Sequence, residues 1–273
     1  MRTEAHPRDV GGQGGMRTEA RPRDGAAEAR LQPYEPPAFY ALTPGTWRDY
    51  VTLLHVPYTL WHLSYVVLGA ALAPAVSYDR LGATLLAFFL GVGIAAHALD
   101  ELAGRPLKTR VPDRVLYVLA ALSLIGAISL GVLGIVVAST WLLPFVAFGL
   151  FIVPAYNLGW FGGRFHSDVW FGLAWGVFPF LTAYWVSAES FAAPAAAGAA
   201  GCFTLSIAQR VLSRRVRAIR RQVQQLEGSI TYTDGRKEEI TKELALAPDE
   251  RALLLLALSV VAFSVSVLLL RLV

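Results

Sequence analysis

The chain has few charged residues and only one cysteine, and both scarcities exclude whole classes of protein. Charged residues make up 16% of the 273 residues, against 55% hydrophobic residues and a mean hydropathy of +0.48. Such a balance is rare in a soluble domain of this length. The single cysteine, Cys202, excludes an intrachain disulfide framework, and its apolar surroundings indicate a small packing residue. The net charge of +4 comes largely from segments that flank apolar runs, so no nucleic-acid partner is expected.

Large apolar residues are also scarce in residues 1–45, which are rich in Arg, Glu, Pro and Gly. This composition predicts a disordered N-terminal tail. The tail contains a near-repeat, MRTEAHPRD at Met1–Asp9 and MRTEARPRD at Met16–Asp24. The repeat indicates a duplicated start region, in which Met16 is a candidate for the true start. Because no apolar segment occurs before residue 45, we expect no cleavable signal peptide.

The rest of the chain, residues 46–273, predicts an all-α membrane domain with about seven transmembrane helices. Each apolar segment is close to the ~20 residues that cross a bilayer. One sizeable polar insertion, 213–251, interrupts the pattern, and its Tyr232–Gly235 stretch predicts a turn between charged helical flanks. The predicted spans are 51–76, 82–103, 114–136, 140–157, 168–187, 190–212 and 252–272.

Basic residues alternate between the predicted loops. The loop at 104–114 has four and the insertion at 213–251 has nine, whereas 137–140 and 188–190 have none. The loop at 158–167 contributes Arg164. Because Lys and Arg are retained on the cytoplasmic side, this alternation predicts a cytoplasmic N-terminus and an outside C-terminus in the cell membrane.

The clearest candidate site closes the second span. On a helix, His97, Asp100 and Glu101 share one face. Two carboxylates and an imidazole can hold a hard divalent cation, and a diphosphate would supply the remaining ligands. The alternative is a helix end whose two carboxylates pair with the basic residues that follow. Those basic residues could instead contact diphosphate oxygens; they are Arg105, Lys108 and Arg110.

A stripe of polar and aromatic residues runs along the first span at helical steps of three and four residues. Two of its members are histidines, which could contact a ligand in the bundle interior or form interhelical hydrogen bonds. A haem site is less favoured, because axial ligands usually come from different helices. The stripe consists of His55, Tyr58, His62, Tyr65 and Gly69.

Three later segments add candidates. The fourth span ends in Tyr156 and Asn157, ahead of a glycine-rich turn, and the fifth contains Trp175. These aromatic residues could line an apolar tunnel or form an interfacial aromatic belt. The sixth span ends in a basic run that begins at Arg210. We interpret this run as a solvated helix end that meets anionic membrane lipid, although it could also attract a diphosphate.

Over about residues 48–270 the chain resembles the UbiA superfamily of intramembrane prenyltransferases. The resemblance rests on Leu54–Leu60 running on to Leu68–Ala73, on Ala96–Leu107, and on Tyr156–Pro179. It implies a helical bundle with a lateral tunnel for an isoprenoid tail. It also implies transfer of an isoprenyl group from its diphosphate to a lipophilic acceptor, with Mg²⁺ held by two acidic motifs.

The sequence departs from that family in both acidic motifs. When the first motif is matched on Arg105 and Pro106, Asp100 is the one acid in register, with Glu101 beside it. The second motif is absent from the end of the sixth span, where Gln209 and Arg210 stand. Two other functions therefore stay open: an inactive lipid-binding or partner subunit of the same fold, and a transporter, for which no inverted repeat is apparent.

The residue patterns and the resemblance together give two groups of candidates. Catalytic and Mg²⁺-binding roles fall to Asp100, Glu101 and His97. Substrate contacts fall to the basic, polar and aromatic residues Arg105, Lys108, Arg110, Arg164, Tyr156, Asn157, His55, Tyr58, His62 and Trp175.

Overall fold

The computed structural model describes residues 34–272, which are mostly helical. The near-repeat and most of the predicted tail, residues 1–33, lie outside the described residues, as does Val273. From Pro36 onward the chain forms one unit.

Within residues 34–272, seven helices are long and apolar enough to cross a membrane, which confirms the number predicted from the apolar runs. The sixth and seventh continue well beyond the apolar segments, into the polar insertion between them. In chain order they are α1 (Thr46–Leu72), α2 (Tyr78–Leu102), α3 (Asp113–Val137), α4 (Thr140–Asn157), α5 (Asp168–Ala188), α6 (Ala193–Gln222) and α7 (Lys242–Leu269).

Helix α1 is broken near its start, into Thr46–Leu53 and Val56–Leu72. His55 sits at the break with φ of 46°, in the left-handed region that a non-glycine residue rarely adopts. Pro57 lies in the first turn of the second segment, where its missing N–H costs no helical hydrogen bond. The break turns His55 towards α2, where its ring stacks on His97 at a centroid distance of 4.0 Å.

Two spans contain π-helical segments. Phe89–Ala96 lies in the middle of α2, and Gly172–Val177 lies near the start of α5. A π segment shifts the helical register by one residue and displaces carbonyl groups from the regular ladder. Such segments are frequent at functional sites.

Small residues allow the central helices to pack closely. A Cβ atom on Gly69 of α1 would overlap the carbonyl oxygen of Phe180 in α5. A Cβ on Gly176 of α5 would approach the carbonyl oxygen of Cys202 in α6 to 2.7 Å. Close backbone contact of this kind is what holds helices together in lipid. Cys202 is buried and unpaired, in agreement with its predicted packing role.

The polar insertion is a hairpin between two helix extensions. Strand β1 (Ser229–Thr231) pairs antiparallel with β2 (Lys237–Glu239). The predicted turn joins the strands, and Gly235 adopts φ of 85° there. The hairpin therefore stands at the tip of α6 and α7.

Ion pairs tie the polar ends of α6 and α7 together. Arg215 lies 3.3 Å from Asp249, and Arg220 holds Glu250 through two hydrogen bonds of 2.5 and 2.9 Å. Arg220 also donates to the carbonyl oxygen of Pro36 at 3.1 Å. The Arg220 guanidinium thus fastens the N-terminal segment to both helices.

Residues 36–45, which the composition assigned to the tail, pack against α1. The Leu42 amide donates to Thr52 Oγ1 at 3.0 Å. The rings of Phe39 and Tyr40 make edge contacts with Tyr58, with centroids 6.2 and 5.4 Å apart. We call residues 36–40 the strap.

Candidate functional site

The membrane domain contains a polar cavity of about 260 Å³ at one end of the bundle. That end, which we call the basic end, holds the loop at 103–112, the turn at 158–167 and the C-terminal part of α6. The strap and five spans contribute to the cavity: α1, α2, α4, α5 and α6.

An apolar groove of about 370 Å³ adjoins the polar cavity. It lies among α2, α3, α4 and α5 and reaches Arg80 at the opposite end of the bundle, where Arg80 pairs with Glu189 at 2.8 Å. Val92 and Trp175 line both the cavity and the groove. Each of them lies in one of the two π segments, so these segments form the junction between polar and apolar space.

Most of the predicted site residues that lie inside spans meet in the polar cavity. They come from α1, α2, α4 and α5. Successive spans cross the bundle in opposite directions, so the first parts of α1 and α5 and the last parts of α2 and α4 lie together at the basic end. The predicted residues that line the cavity are His55, Tyr58, His62, His97, Asp100, Tyr156, Asn157 and Trp175.

Glu101 does not join Asp100 in the cavity, contrary to the predicted carboxylate pair. Its side chain is 1% exposed and points into the loop after α2. One carboxylate oxygen accepts from the Leu107 amide at 3.0 Å, and the other accepts from the Thr109 amide and hydroxyl, both at 2.8 Å. Adjacent helical residues differ by about 100° in direction, and this rotation sends the two carboxylates to different neighbours.

The four predicted basic contacts also lie away from the cavity lining. Arg105 donates to the carbonyl oxygens of Thr109 and Val111 at 3.1 and 2.6 Å, and its carboxylate partner is Asp113. The Arg105 side chain therefore stabilises its own loop and pairs with neither Asp100 nor Glu101. The remaining three, Lys108, Arg110 and Arg164, are likewise absent from the lining.

Three arginines of α6 supply the positive charge of the cavity instead. Arg210, Arg217 and Arg221 are spaced by seven and four residues, which places them on one face of the helix. Arg210 also pairs with Asp168, whose Oδ1 lies 3.2 Å from the Nε of Arg210. Within residues 34–272, Arg217 and Arg221 form no ion pair, although both lie close enough to Asp100 for its charge to attract them.

Three imidazoles around the cavity are held in one tautomer. Nδ1 of His62 lies 2.8 Å from the Trp175 carbonyl oxygen, and Nδ1 of His97 lies 3.1 Å from that of Gly93. Nδ1 of His166 lies 3.1 Å from the Tyr156 carbonyl oxygen. A carbonyl oxygen can only accept, so each Nδ1 carries the proton and Nε2 of the neutral ring is an acceptor. The carbonyls of Gly93 and Trp175 belong to the π segments.

Two buried polar atoms of the cavity make no hydrogen bond to the described part of the chain. They are Tyr156 Oη and Gln209 Oε1, on side chains that are 4% and 2% exposed. Buried polar groups are almost always hydrogen-bonded, and leaving one unmade costs about 1–3 kcal/mol. A phenol hydroxyl and an amide in this position are suited to a polar ligand.

The strap closes one side of the cavity. The ring of Tyr40 lies 5.3 Å from that of His55 and 5.4 Å from that of Tyr58. Burial raises the pKa of the Tyr40 hydroxyl well above its ordinary value, so this wall of the cavity carries no negative charge.

The cavity does not fit the Mg²⁺ that the family resemblance implies. Mg²⁺ requires several hard oxygen ligands in near-octahedral geometry. Asp100 supplies the one carboxylate among the described lining residues, beside three guanidinium groups. Over residues 34–272, no group of three or more His, Cys, Asp or Glu side chains is placed to hold a metal ion.

Comparisons with protein-family models, curated proteins and solved structures found no match to this chain. The function is therefore argued from the geometry of the cavity and the groove.

Proposed function

We propose that this membrane protein is a prenyltransferase of UbiA-like fold, which transfers an isoprenyl group from its diphosphate to a lipophilic acceptor. One observation carries the proposal: a cationic cavity and an apolar groove meet at Val92 and Trp175. An isoprenyl diphosphate has the same two parts, an anionic head and an apolar tail. Its reacting carbon, at the bond between them, would lie at this junction.

The groove also sets the length of tail that it can hold. Its lining along α2 runs from Asp79 to Val92, which at 1.5 Å per residue is about 20 Å. An isoprene unit adds four chain carbons, or about 5 Å with C–C bonds near 1.5 Å. The groove thus accommodates three to four units, and we expect farnesyl and geranylgeranyl diphosphate to be the preferred donors.

The cavity residues support a transfer step in which atoms and charges balance. The bond from the first prenyl carbon to the diphosphate oxygen breaks, and the electron pair leaves with the diphosphate. Arg217 and Arg221, which form no ion pair in the described chain, stabilise the developing charge. The acceptor forms the new bond to the same carbon, and its proton passes to Asp100.

The test is release of diphosphate by the detergent-purified protein, with farnesyl diphosphate as donor and a membrane lipid extract as the source of acceptor. Loss of a general base typically costs 10²–10⁴-fold, so Asp100→Asn should lower the rate at least 100-fold. Its thermal unfolding midpoint should stay that of the wild type. Asp234→Asn, a change in the exposed hairpin, is the matched control and should retain full activity. An active Asp100→Asn protein would contradict the assigned role.

A second candidate function is lipid binding without turnover. It is favoured by Glu101, because its three hydrogen bonds to the loop leave Asp100 as the lone carboxylate among the described cavity residues. A binder would retain the isoprenyl diphosphate intact under the same assay. Reproducible diphosphate release by the wild type, lost in Asp100→Asn, excludes this candidate.

We further propose that the basic end faces the cytoplasm, because basic segments are retained on that side of a membrane. The exposed β-hairpin offers a site to test it. Ser229→Cys should react with a membrane-impermeant maleimide in inverted vesicles and resist it in intact cells. The native Cys202 is buried and serves as the unreactive background. Labelling in intact cells would reverse the orientation.

A further inference from the structure

The charges around the polar cavity differ from those of a magnesium–diphosphate site. Among the described lining residues there are three arginines and one carboxylate, and these four groups sum to +2. A metal-dependent site is instead acidic before the cation binds, because the carboxylates must attract it. Here a divalent cation would have to enter against Arg217 and Arg221.

The two places where further carboxylate ligands would be expected supply none to the cavity. The Glu101 carboxylate is filled by three hydrogen bonds from the loop after α2. Within α6, Gln209 supplies a neutral amide and Arg210 is bound to Asp168. Glu101 could give its carboxylate to the cavity only by breaking these hydrogen bonds, and Gln209 and Arg210 have no carboxylate to give.

Ion-pair partners distinguish the arginines that face the cavity from the other arginines of the basic run. Arg215 and Arg220 do not line the cavity, and Asp249 and Glu250 neutralise them. Arg214, the remaining arginine of the run, pairs with Asp168, which also binds the cavity residue Arg210. The other two cavity arginines form no ion pair in the described chain, and guanidinium groups bind phosphate oxygens through paired hydrogen bonds.

The uncommitted polar atoms fit the same ligand. The Tyr156 hydroxyl can donate to an unesterified phosphate oxygen. The amide of Gln209 lies one helical turn from Ser213, which also lines the cavity. These neutral groups complete a polar surface in which the arginines carry the charge.

We propose that the cavity binds the diphosphate head of an isoprenyl diphosphate through Arg217 and Arg221 without a divalent cation. This inference rests on the proposed function. It concerns how the leaving group is held, and two guanidinium groups take the place of the metal that the family resemblance implies.

The sign of the effect of Asp100→Asn on affinity provides a sharp test. Without a metal, the Asp100 carboxylate repels the diphosphate, so its neutralisation should tighten binding several-fold. If Asp100 held Mg²⁺ for the diphosphate, the same change would weaken binding. The experiment measures the dissociation constant of farnesyl diphosphate for the full chain in lipid nanodiscs, with excess EDTA and with excess Mg²⁺.

We expect the two conditions to agree within about twofold for the wild type. Arg217→Gln and Arg221→Gln should each weaken binding at least tenfold in EDTA. Arg215→Gln is the matched control, because it removes the same charge from another face of α6, where Arg215 pairs with Asp249. This control should bind farnesyl diphosphate as the wild type does.

Binding that requires Mg²⁺, or that weakens in Asp100→Asn, would overturn the metal-independent site and leave the proposed transferase standing. Binding in neither condition would remove the proposed function, and this inference with it. A thermal unfolding midpoint measured for each variant separates lost binding from lost folding.

Discussion

Replacing Glu101 by Gln is expected to loosen the loop after α2 while leaving the polar cavity able to bind. The carboxylate accepts three hydrogen bonds, from the Leu107 amide and from the amide and hydroxyl of Thr109. A glutamine can keep its oxygen towards Thr109, but its NH₂ group then faces the Leu107 N–H, donor against donor. One hydrogen bond is lost and the other two lose their charge assistance.

The size of the effect follows from typical hydrogen-bond energies. A hydrogen bond to a charged group contributes about 1.5–3 kcal/mol and a neutral one about 0.5–1.5 kcal/mol. The amide avoids the desolvation of a buried charge, so we expect a net loss of about 3 kcal/mol. At 2–4 °C per kcal/mol for a chain of this size, the unfolding midpoint should fall by roughly 10 °C. Thr109→Val removes one donor and should cost about 1 kcal/mol.

The assay is thermal unfolding in detergent, combined with amide hydrogen exchange of residues 103–112. Exchange in this loop should accelerate in Glu101→Gln. Asp100→Asn is the matched control, because it makes the same change one residue earlier at a carboxylate without a hydrogen-bond partner in the described chain. An unchanged midpoint in Glu101→Gln, together with lost binding of farnesyl diphosphate, would refute the structural role and return Glu101 to the cavity.

Two further predictions concern packing and the polar ends of the last helices. Gly69→Ala should destabilise the protein by about 1–3 kcal/mol, because its Cβ would overlap the Phe180 carbonyl oxygen; Gly201→Ala, with open space around it, should stabilise by about 0.5–1 kcal/mol. Thermal unfolding of the pair checks both signs, and equal midpoints would contradict the close α1–α5 contact. Arg220→Gln should free the hairpin and the strap, because it breaks the largely buried pair with Glu250. Limited proteolysis should then cut the hairpin faster than in Arg215→Gln, and equal cleavage would contradict the fastening role.

The number of spans could be predicted from the sequence because bilayer thickness sets the length of an apolar run. The stripe on the first span was also informative. The members nearer the basic end, His55, Tyr58 and His62, line the cavity. The other members form the interhelical contacts of the alternative interpretation: Tyr65 Oη lies 3.3 Å from Ser206 Oγ, and Gly69 packs on α5.

The cavity charges could not be predicted, because they depend on contacts between distant helices. The basic run at the end of α6 looks uniform in sequence. Only the positions of Asp168, Asp249 and Glu250 separate the neutralised arginines from Arg217 and Arg221. Spacing alone gave a partial signal, since the cavity arginines share one helical face.

The junction between cavity and groove could not be predicted from helical periodicity either. Val92 and Trp175 lie in π segments, where the helical register departs from 3.6 residues per turn. The position of Glu101 has two causes: helical rotation turns it away from Asp100, and the fold of the following loop, which spacing does not predict, supplies the three donors that hold its carboxylate.

The most direct test of the proposed function is where the tail of a bound isoprenyl diphosphate lies. A farnesyl diphosphate analogue with a photoreactive group at the end of its tail is bound to the full chain in nanodiscs and irradiated, and labelled peptides are located by mass spectrometry. We expect labelling of groove residues such as Gly131 and Val146, suppressed by excess farnesyl diphosphate. Labelling confined to exposed residues of α3 such as Tyr117 and Leu122, and unaffected by competitor, would contradict the assignment of the groove to the tail.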